Sequence, residues 1–185
     1  AKELGTKISN DTHNIQVITE DIALERKILD IIILLTSSLK QNDRKLDQFI
    51  ETINGLTKNE TRKKILVFSF FADTVEYLRE KLLDQPNTVF TTINTAFVSG
   101  RNRVVALSSA ERFAPVAKDA RERILPDQEL TYLFSTDVLA EGQNLQDCGL
   151  LINYDLHWNP VRMIQRNGRI NRLGSPYDQI EVVNM

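Results

Sequence analysis

Gln165, Gly168, Arg169 and Arg172 are the residues of this sequence best suited to gripping a polyanion. They stand at i, i+3, i+4 and i+7, a spacing that puts all four on one face of a helix. The helix it predicts has marked ends: Asn159 is a good N-cap, Pro160 fits the first helical position, and Gly174 can close the C-terminus. Between Pro160 and Gly174 there are four arginines and no acid. Two guanidinium groups one turn apart, with a glycine beside them for close approach, suit a polyanion such as a triphosphate. The plain alternative is a solvated basic helix face, which is common, and the residues upstream decide against it.

The second constellation is Ser135-Thr136-Asp137-Val138-Leu139-Ala140-Glu141-Gly142-Gln143-Asn144-Leu145. Thr136 directly follows an apolar run, so its hydroxyl and N–H are expected on the working edge of a sheet. Gly142 suits a turn that needs positive φ or close backbone approach. Asn144 offers a donor and an acceptor for a sugar hydroxyl. Taken alone, the segment also reads as a capped helix followed by a left-handed glycine turn.

The elements that must position these groups alternate. A helix from about Asp21 carries an apolar stripe of Ile22, Leu24, Ile28, Leu29, Ile32 and Leu35, and a second runs from about Asp43 to Leu56 with Leu46, Phe49, Ile50 and Ile53 inward. A polar break follows from Thr57 to Arg62. Ile65 to Phe68 is a short apolar run, too short for a helix and typical of a buried parallel strand. Asp73 and Glu76 predict a capping box for a helix from Thr74 to Leu83, with a loop at Pro86 and Asn87. Further strands are expected ending at Val98, at Leu130 to Phe134, at Leu150 to Tyr154 and at Ile180 to Val183. Asn102 to Phe113 reads as a helix, with a strand at Val104 to Leu107 as the alternative; a short helix is expected at Val138 to Ala140. Strand and helix alternating through short connections predict an α/β fold: a doubly wound, mostly parallel sheet flanked by helices, with an N-terminal helical segment. Ligands of such sheets bind beyond the carboxyl ends of the strands, which singles out Ser69, Ser99, Gly100, Ser135, Thr136, Asp155 and Asn159.

Composition narrows the class. At 185 residues, 42% hydrophobic and net charge −2, the chain is long enough for one domain with a full core plus a helical segment, and its charge argues against a histone-like binder but not against a local basic groove. Cys148 is the single cysteine, which excludes an internal disulfide and a multi-thiolate metal site, and its apolar surroundings predict a small buried residue. His13 and His157 have no ligand-like spacing, so no metal site is expected. The longest apolar run, Ile31 to Leu35, is too short to cross a membrane, no secretory signal is visible, and a cytoplasmic, reduced setting is the expectation. Trp158, just before the N-cap, is expected to be a packing anchor. The absence of an initial methionine and the apolar run near Met185 read as those of a fragment of a longer protein.

Together these motifs resemble the second RecA-like domain of a superfamily-two helicase, and within that superfamily the bacterial Swi/Snf-type double-stranded DNA translocases. Lys64 to Ser69 resembles motif IV, and Ser99-Gly100 the Ser-Gly after the next strand. Arg112-Phe113-Ala114-Pro115 resembles a segment of bacterial members, and Ser135 to Leu145 resembles motif V. Asn153 to Pro160 resembles the Tyr-Asp-x-x-Trp-Asn-Pro run of the Swi/Snf branch, and Gln165 to Gly174 resembles motif VI. The likeness covers residues 43–185; residues 1–42 form a helical or linker segment with no counterpart. Glu141 replaces a frequent glycine, and Ser175-Pro176 follows Gly174 where the family often continues differently.

The resemblance implies roles. Arg169 and Arg172 match arginine fingers on the γ-phosphate of ATP, and Gln165 a glutamine near the phosphate and attacking water. Gly142, Asn144 and Gly168 match positions beside the nucleotide; Ser69, Ser99, Gly100 and Thr136 match positions on the DNA backbone, where contacts carry no sequence information. The sequence contains no Gly-x-x-x-x-Gly-Lys-Ser/Thr string and no Asp-Glu pair ending a buried strand. In the family both belong to an N-terminal RecA-like domain, which is expected to hold the Mg²⁺ and to share the ATP site. The fragment alone is then expected to be inactive, and the whole protein to be cytoplasmic and nucleoid-associated. A non-catalytic scaffold of the same fold and half of an RNA helicase are the competing readings.

Overall fold

The computed structural model describes residues 14–39, 43–57, 64–83, 88–100, 103–139 and 142–185. The chain divides into two compact units, Ala1–Ile50 and Glu51–Met185. In the first unit, α1 (Ile15–Leu39) starts six residues earlier than the periodicity predicts, because Asn14 caps it by accepting from Val17 N at 3.3 Å. Its predicted stripe, Ile22, Leu24, Ile28, Leu29, Ile32 and Leu35, is exposed. On α2 (Arg44–Thr57), Leu46, Phe49 and Ile53 are buried as expected while Ile50 is half-buried, and Asp43 caps the helix by accepting from Leu46 N at 3.0 Å.

The second unit is built on a five-stranded parallel sheet in the order β2-β3-β1-β4-β5. Its strands are β1 (Ile65–Phe68), β2 (Thr95–Val98), β3 (Tyr132–Ser135), β4 (Leu150–Asn153) and β5 (Glu181–Asn184). The three inner strands, β3, β1 and β4, are buried at every position, which is why they read as unbroken apolar runs. Alternate strand residues face opposite sides. Leu66, Phe68, Leu133 and Leu151 meet Ala106, Ala110 and Phe113 of α4 (Arg103–Phe113) in one core cluster. The i, i+4, i+7 spacing of those three α4 residues settles the ambiguous segment as a helix. α3 (Ala72–Leu83) buries Val75, Leu78 and Leu82.

Three expectations are corrected. α3 begins at Ala72, so Asp73 lies inside the first turn rather than before it, and Glu76 pairs with Arg79 at 2.7 Å. The short helix after β3 is a single 3₁₀ turn, Asp137–Leu139. Most consequentially, the arginine helix α5 (Pro160–Asn167) has eight residues and does not reach Gly174. Its start is as predicted, with Asn159 Oδ1 accepting from Val161 N at 2.9 Å. Its end is set by packing. Ile170 is fully buried in the core, and the Arg169 carbonyl accepts from Leu145 N at 3.0 Å, so it is drawn off toward the 142–149 loop. Of the polar break predicted from Thr57 to Arg62, Thr57 is the last residue of α2 and residues 58–62 lie outside the described residues, as do the loop predicted at Pro86 and Asn87 and Glu141.

Candidate functional site

The parallel register aligns the carboxyl ends of the strands: Val98 with Ser135, Ser135 with Phe68, Phe68 with Asn153. Ser99, Thr136 and Ser69 each follow a strand end and so form one row along this edge. The backbone ladder continues into them, Ser69 N donating to Ser135 O at 3.0 Å and Thr136 N to Val98 O at 3.2 Å. Ser99 is half-buried and Gly100 exposed, while Thr136 is only 8% exposed. Ser69 is buried, and its hydroxyl donates to Asp155 Oδ2, which also accepts from Phe70 N at 3.3 Å.

Behind this row lies a residue that sequence reasoning passed over. Arg166 of α5 is fully buried. Its Nε donates to Asp137 Oδ1 at 2.6 Å, and its Nη1 donates to Asn153 Oδ1 at 3.1 Å and to Asp155 O at 3.2 Å. The guanidinium also sits over the Phe68 ring, 5.3 Å from its centroid. One side chain thus ties together the ends of β1, β3 and β4. Asp137 Oδ2 and Arg166 Nη2 are buried with no hydrogen-bond partner among the described residues, so the pair is engaged through one oxygen rather than as a two-point fork. A signal was available: Arg166 and Ile170 are i, i+4, and Ile170 is the apolar residue of this segment that faces inward.

Arg169 and Arg172 behave differently. Although the helix has ended, each Nε reaches back four residues, Arg169 to Gln165 O at 3.1 Å and Arg172 to Gly168 O at 3.0 Å. The helical side-chain spacing therefore survives through tight turns, and Gln165, Gly168, Arg169 and Arg172 remain together. Arg172 and Gln165 are exposed. The 142–149 loop lies against Arg169, whose Nη1 approaches Gln143 O at 3.4 Å. Gly142 adopts φ +72°, and a Cβ there would meet nothing within 4 Å among the described residues, so this glycine serves backbone conformation. Asn144 Oδ1 accepts from Gln146 N at 3.3 Å. Gly168 is in the ordinary right-handed region, and a Cβ there would come no closer than 3.4 Å to its nearest neighbour, Ile164 O. Neither conformation nor packing within the chain requires a glycine at Gly168.

Residues 41–174 match the family described as Helicase conserved C-terminal domain. The chain belongs to this family. Among curated relatives, the Bacillus subtilis protein called Uncharacterized ATP-dependent helicase YqhH is 30% identical over 74% of this chain and 23% of its own length. The ATP-dependent RNA helicase eIF4A of Saccharomyces cerevisiae is 32% identical over 62% of this chain and 32% of its length. The chain therefore spans a quarter to a third of these relatives. Among solved structures, the C-terminal part of the Fun30 ATPase domain superposes with a TM-score of 0.57 at 18% identity, covering 92% of this chain and 53% of that one. That likeness shows the fold.

Other parts of this helicase C-terminal domain resolve further expectations. Trp158 is 88% exposed and is no packing anchor: the chain leaves the sheet after Asn153, and the indole stacks on His157 at 5.5 Å. His157 in turn accepts from Asn159 N through Nδ1 at 2.9 Å and packs on Phe70 at 4.7 Å. Cys148 is buried as expected, its Sγ donating to backbone carbonyls of Lys64 and Leu150, and burial pushes its thiol up to about 12. Among the described residues no group of three or more His, Cys, Asp and Glu is placed to hold a metal ion. The carboxylates of the site, Asp137 and Asp155, are engaged by Arg166 and by Ser69, and this donor set does not fit Mg²⁺. No helix among the described residues is long and apolar enough to cross a membrane.

Proposed function

We propose that this chain is the C-terminal motor half of an ATP-dependent double-stranded DNA translocase of the Swi/Snf type. The observation that carries the reading is the grouping of Arg169, Arg172, Gln165 and Gly168, with Arg169 meeting the Gly142–Asn144 turn at Gln143 O and each arginine oriented through its Nε by a backbone carbonyl. Phosphoryl transfer spreads charge over phosphate oxygens, and pre-oriented guanidinium groups stabilise that charge without reorganising at the moment of reaction. Arg169 and Arg172 act as fingers on the terminal phosphate, Gln165 orients the attacking water, and Asn144 reaches the ribose. Gly142 and Gly168 leave room for close approach of the nucleotide. Ser99 and Gly100 line the edge that meets the DNA backbone, with Thr136 and Ser69 as the largely buried members of the same row. An N-terminal RecA-like domain supplies the phosphate-binding loop and the Mg²⁺ ligands, so ATP lies between the two domains and this chain alone is inactive.

The test is ATP hydrolysis by the full-length parent protein, alone, with duplex DNA and with RNA. Stimulation by duplex supports the translocase. Stimulation by RNA alone favours the reading that the eIF4A relative supports, half of an RNA helicase. No hydrolysis under any condition overturns both and leaves a scaffold.

A further inference from the structure

We propose that Lys118 is a third cation of this anion site and binds a phosphate group alongside Arg169 and Arg172; the inference rests on the phosphate role proposed for those arginines. Lys118 sits on a turn that follows α4 and is rigidly built. The Asp147 carboxylate accepts from Val116 N at 2.8 Å and from Ala117 N at 2.9 Å. Ala120 N closes the turn on Pro115 O at 2.8 Å, and Ala120 itself is fully buried. Asp119 takes φ +49°, the only positive φ at a non-glycine among the described residues. A left-handed non-glycine conformation carries a cost and persists where its surroundings impose it.

The effect of the turn is to present Lys118 to the 142–149 loop. Its Nζ donates to Gln143 Oε1, and the backbone oxygen of the same Gln143 is the one that Arg169 approaches. The positive charge of Arg172 is also felt at Lys118, as is the negative charge of Glu111, and Glu111 is shared with Arg123 at 3.6 Å. Partial burial is the main cause of a Lys118 pKa below the ordinary lysine value; Glu111 opposes it, and Arg172 lowers it further. A solvated surface lysine would point away from two arginines. This one shares Gln143 with Arg169, feels the charge of Arg172, and is held by a neutral amide oxygen, with only the carboxylate of Glu111, itself shared with Arg123, to offset its charge. Gathering like charges is unfavourable unless a polyanion joins them. A phosphate oxygen outcompetes the amide oxygen of Gln143 because a charge-assisted hydrogen bond is the stronger of the two.

The phosphate can belong to the nucleotide or to a nucleic-acid backbone, and the nearness of Gly142, Asn144 and Arg172 favours the nucleotide. The experiment is equilibrium binding of a fluorescent ATP analogue and, separately, of a labelled DNA duplex to the full-length parent, with Lys118→Gln, Lys118→Arg and Arg172→Ala. The expected result is roughly tenfold weaker binding of the analogue by Lys118→Gln, the size of one charge-assisted contact, with Lys118→Arg close to wild type. Weakening confined to the duplex assigns Lys118 to the strand instead. Unchanged binding of both probes by Lys118→Gln, with Arg172→Ala still weakening the analogue, overturns the role of Lys118 alone. If Arg172→Ala is also without effect, the phosphate reading of the whole site fails. Should Lys118→Gln unfold, Gln143→Ala, which removes the competing oxygen, is expected to tighten the analogue; no change there counts against the proposal.

Discussion

Arg166 and Arg172 lie six residues apart in one segment and divide its labour. Arg166 is buried, paired with Asp137 and bonded to Asn153 and the Asp155 carbonyl. Arg172 is exposed and anchored to the Gly168 carbonyl. The same side chain serves in one place as a bolt between strand ends and in the other as a charge facing outward. Their difference separates what the fold needs from what the proposed reaction needs.

The largest effect expected from breaking that contrast is on activity. Arg172→Ala in the full-length protein is predicted to lower ATP turnover about a thousandfold or more while leaving stability within about 0.5 kcal/mol, as removal of an arginine finger from an exposed position would. Steady-state hydrolysis and thermal melting of the same sample check both halves. A melting temperature that fell together with activity would erase the distinction from Arg166.

Arg166→Ala is predicted to act the other way, costing about 3–5 kcal/mol because it strands the Asp137 carboxylate in the interior. Urea denaturation measures this, and the double variant Arg166→Met with Asp137→Leu is expected to recover much of the loss. A double variant no more stable than Arg166→Ala would mean that the geometry, rather than the orphaned charge, is what matters.

Gly168→Ala sharpens the comparison at the residue between the two arginines. Among the described residues a Cβ there meets only Ile164 O at 3.4 Å and Gln165 O at 3.6 Å, so stability is expected to change by less than about 1 kcal/mol, while ATP-analogue affinity falls severalfold. Equal affinity for alanine and glycine would show that no ligand approaches this point.

The smallest effect concerns Cys148, buried like Arg166 but neutral. Its thiol holds its proton to about 12, whereas in the unfolded chain it ionises near 8.5. The folded pKa is raised, so the stability it contributes is complete below the unfolded value and lost as pH rises across that window. Urea midpoints of wild type and Cys148→Ala, compared from pH 8 to pH 10, are expected to converge. Maleimide is expected to leave the native thiol unlabelled at pH 8.

The strands and most helices were legible because their signals are local. Ile65 to Phe68 and Leu150 to Ile152 are unbroken apolar runs, and a strand buried on both faces admits nothing else. Asn159 and Pro160 marked a helix start whose cap depends on adjacent residues alone. The end of α5 was not legible, because it depends on Ile170 entering a core built from distant strands and on Leu145 taking the Arg169 carbonyl. Nor was the exposure of Trp158, since an indole beside a cap packs only if some distant element covers it.

By itself the sequence determined the order of elements, the parallel α/β class and the spacing of Gln165, Gly168, Arg169 and Arg172, because each follows from periodicity or from residues a turn apart. Tertiary structure alone decided that Arg166 turns inward while Arg172 stays exposed, that Ser69 gives its hydroxyl to Asp155, and that Lys118 meets Gln143. Those outcomes join residues 25 or more positions apart or depend on what covers them, and no local preference encodes the partner that burial or a hydrogen bond requires.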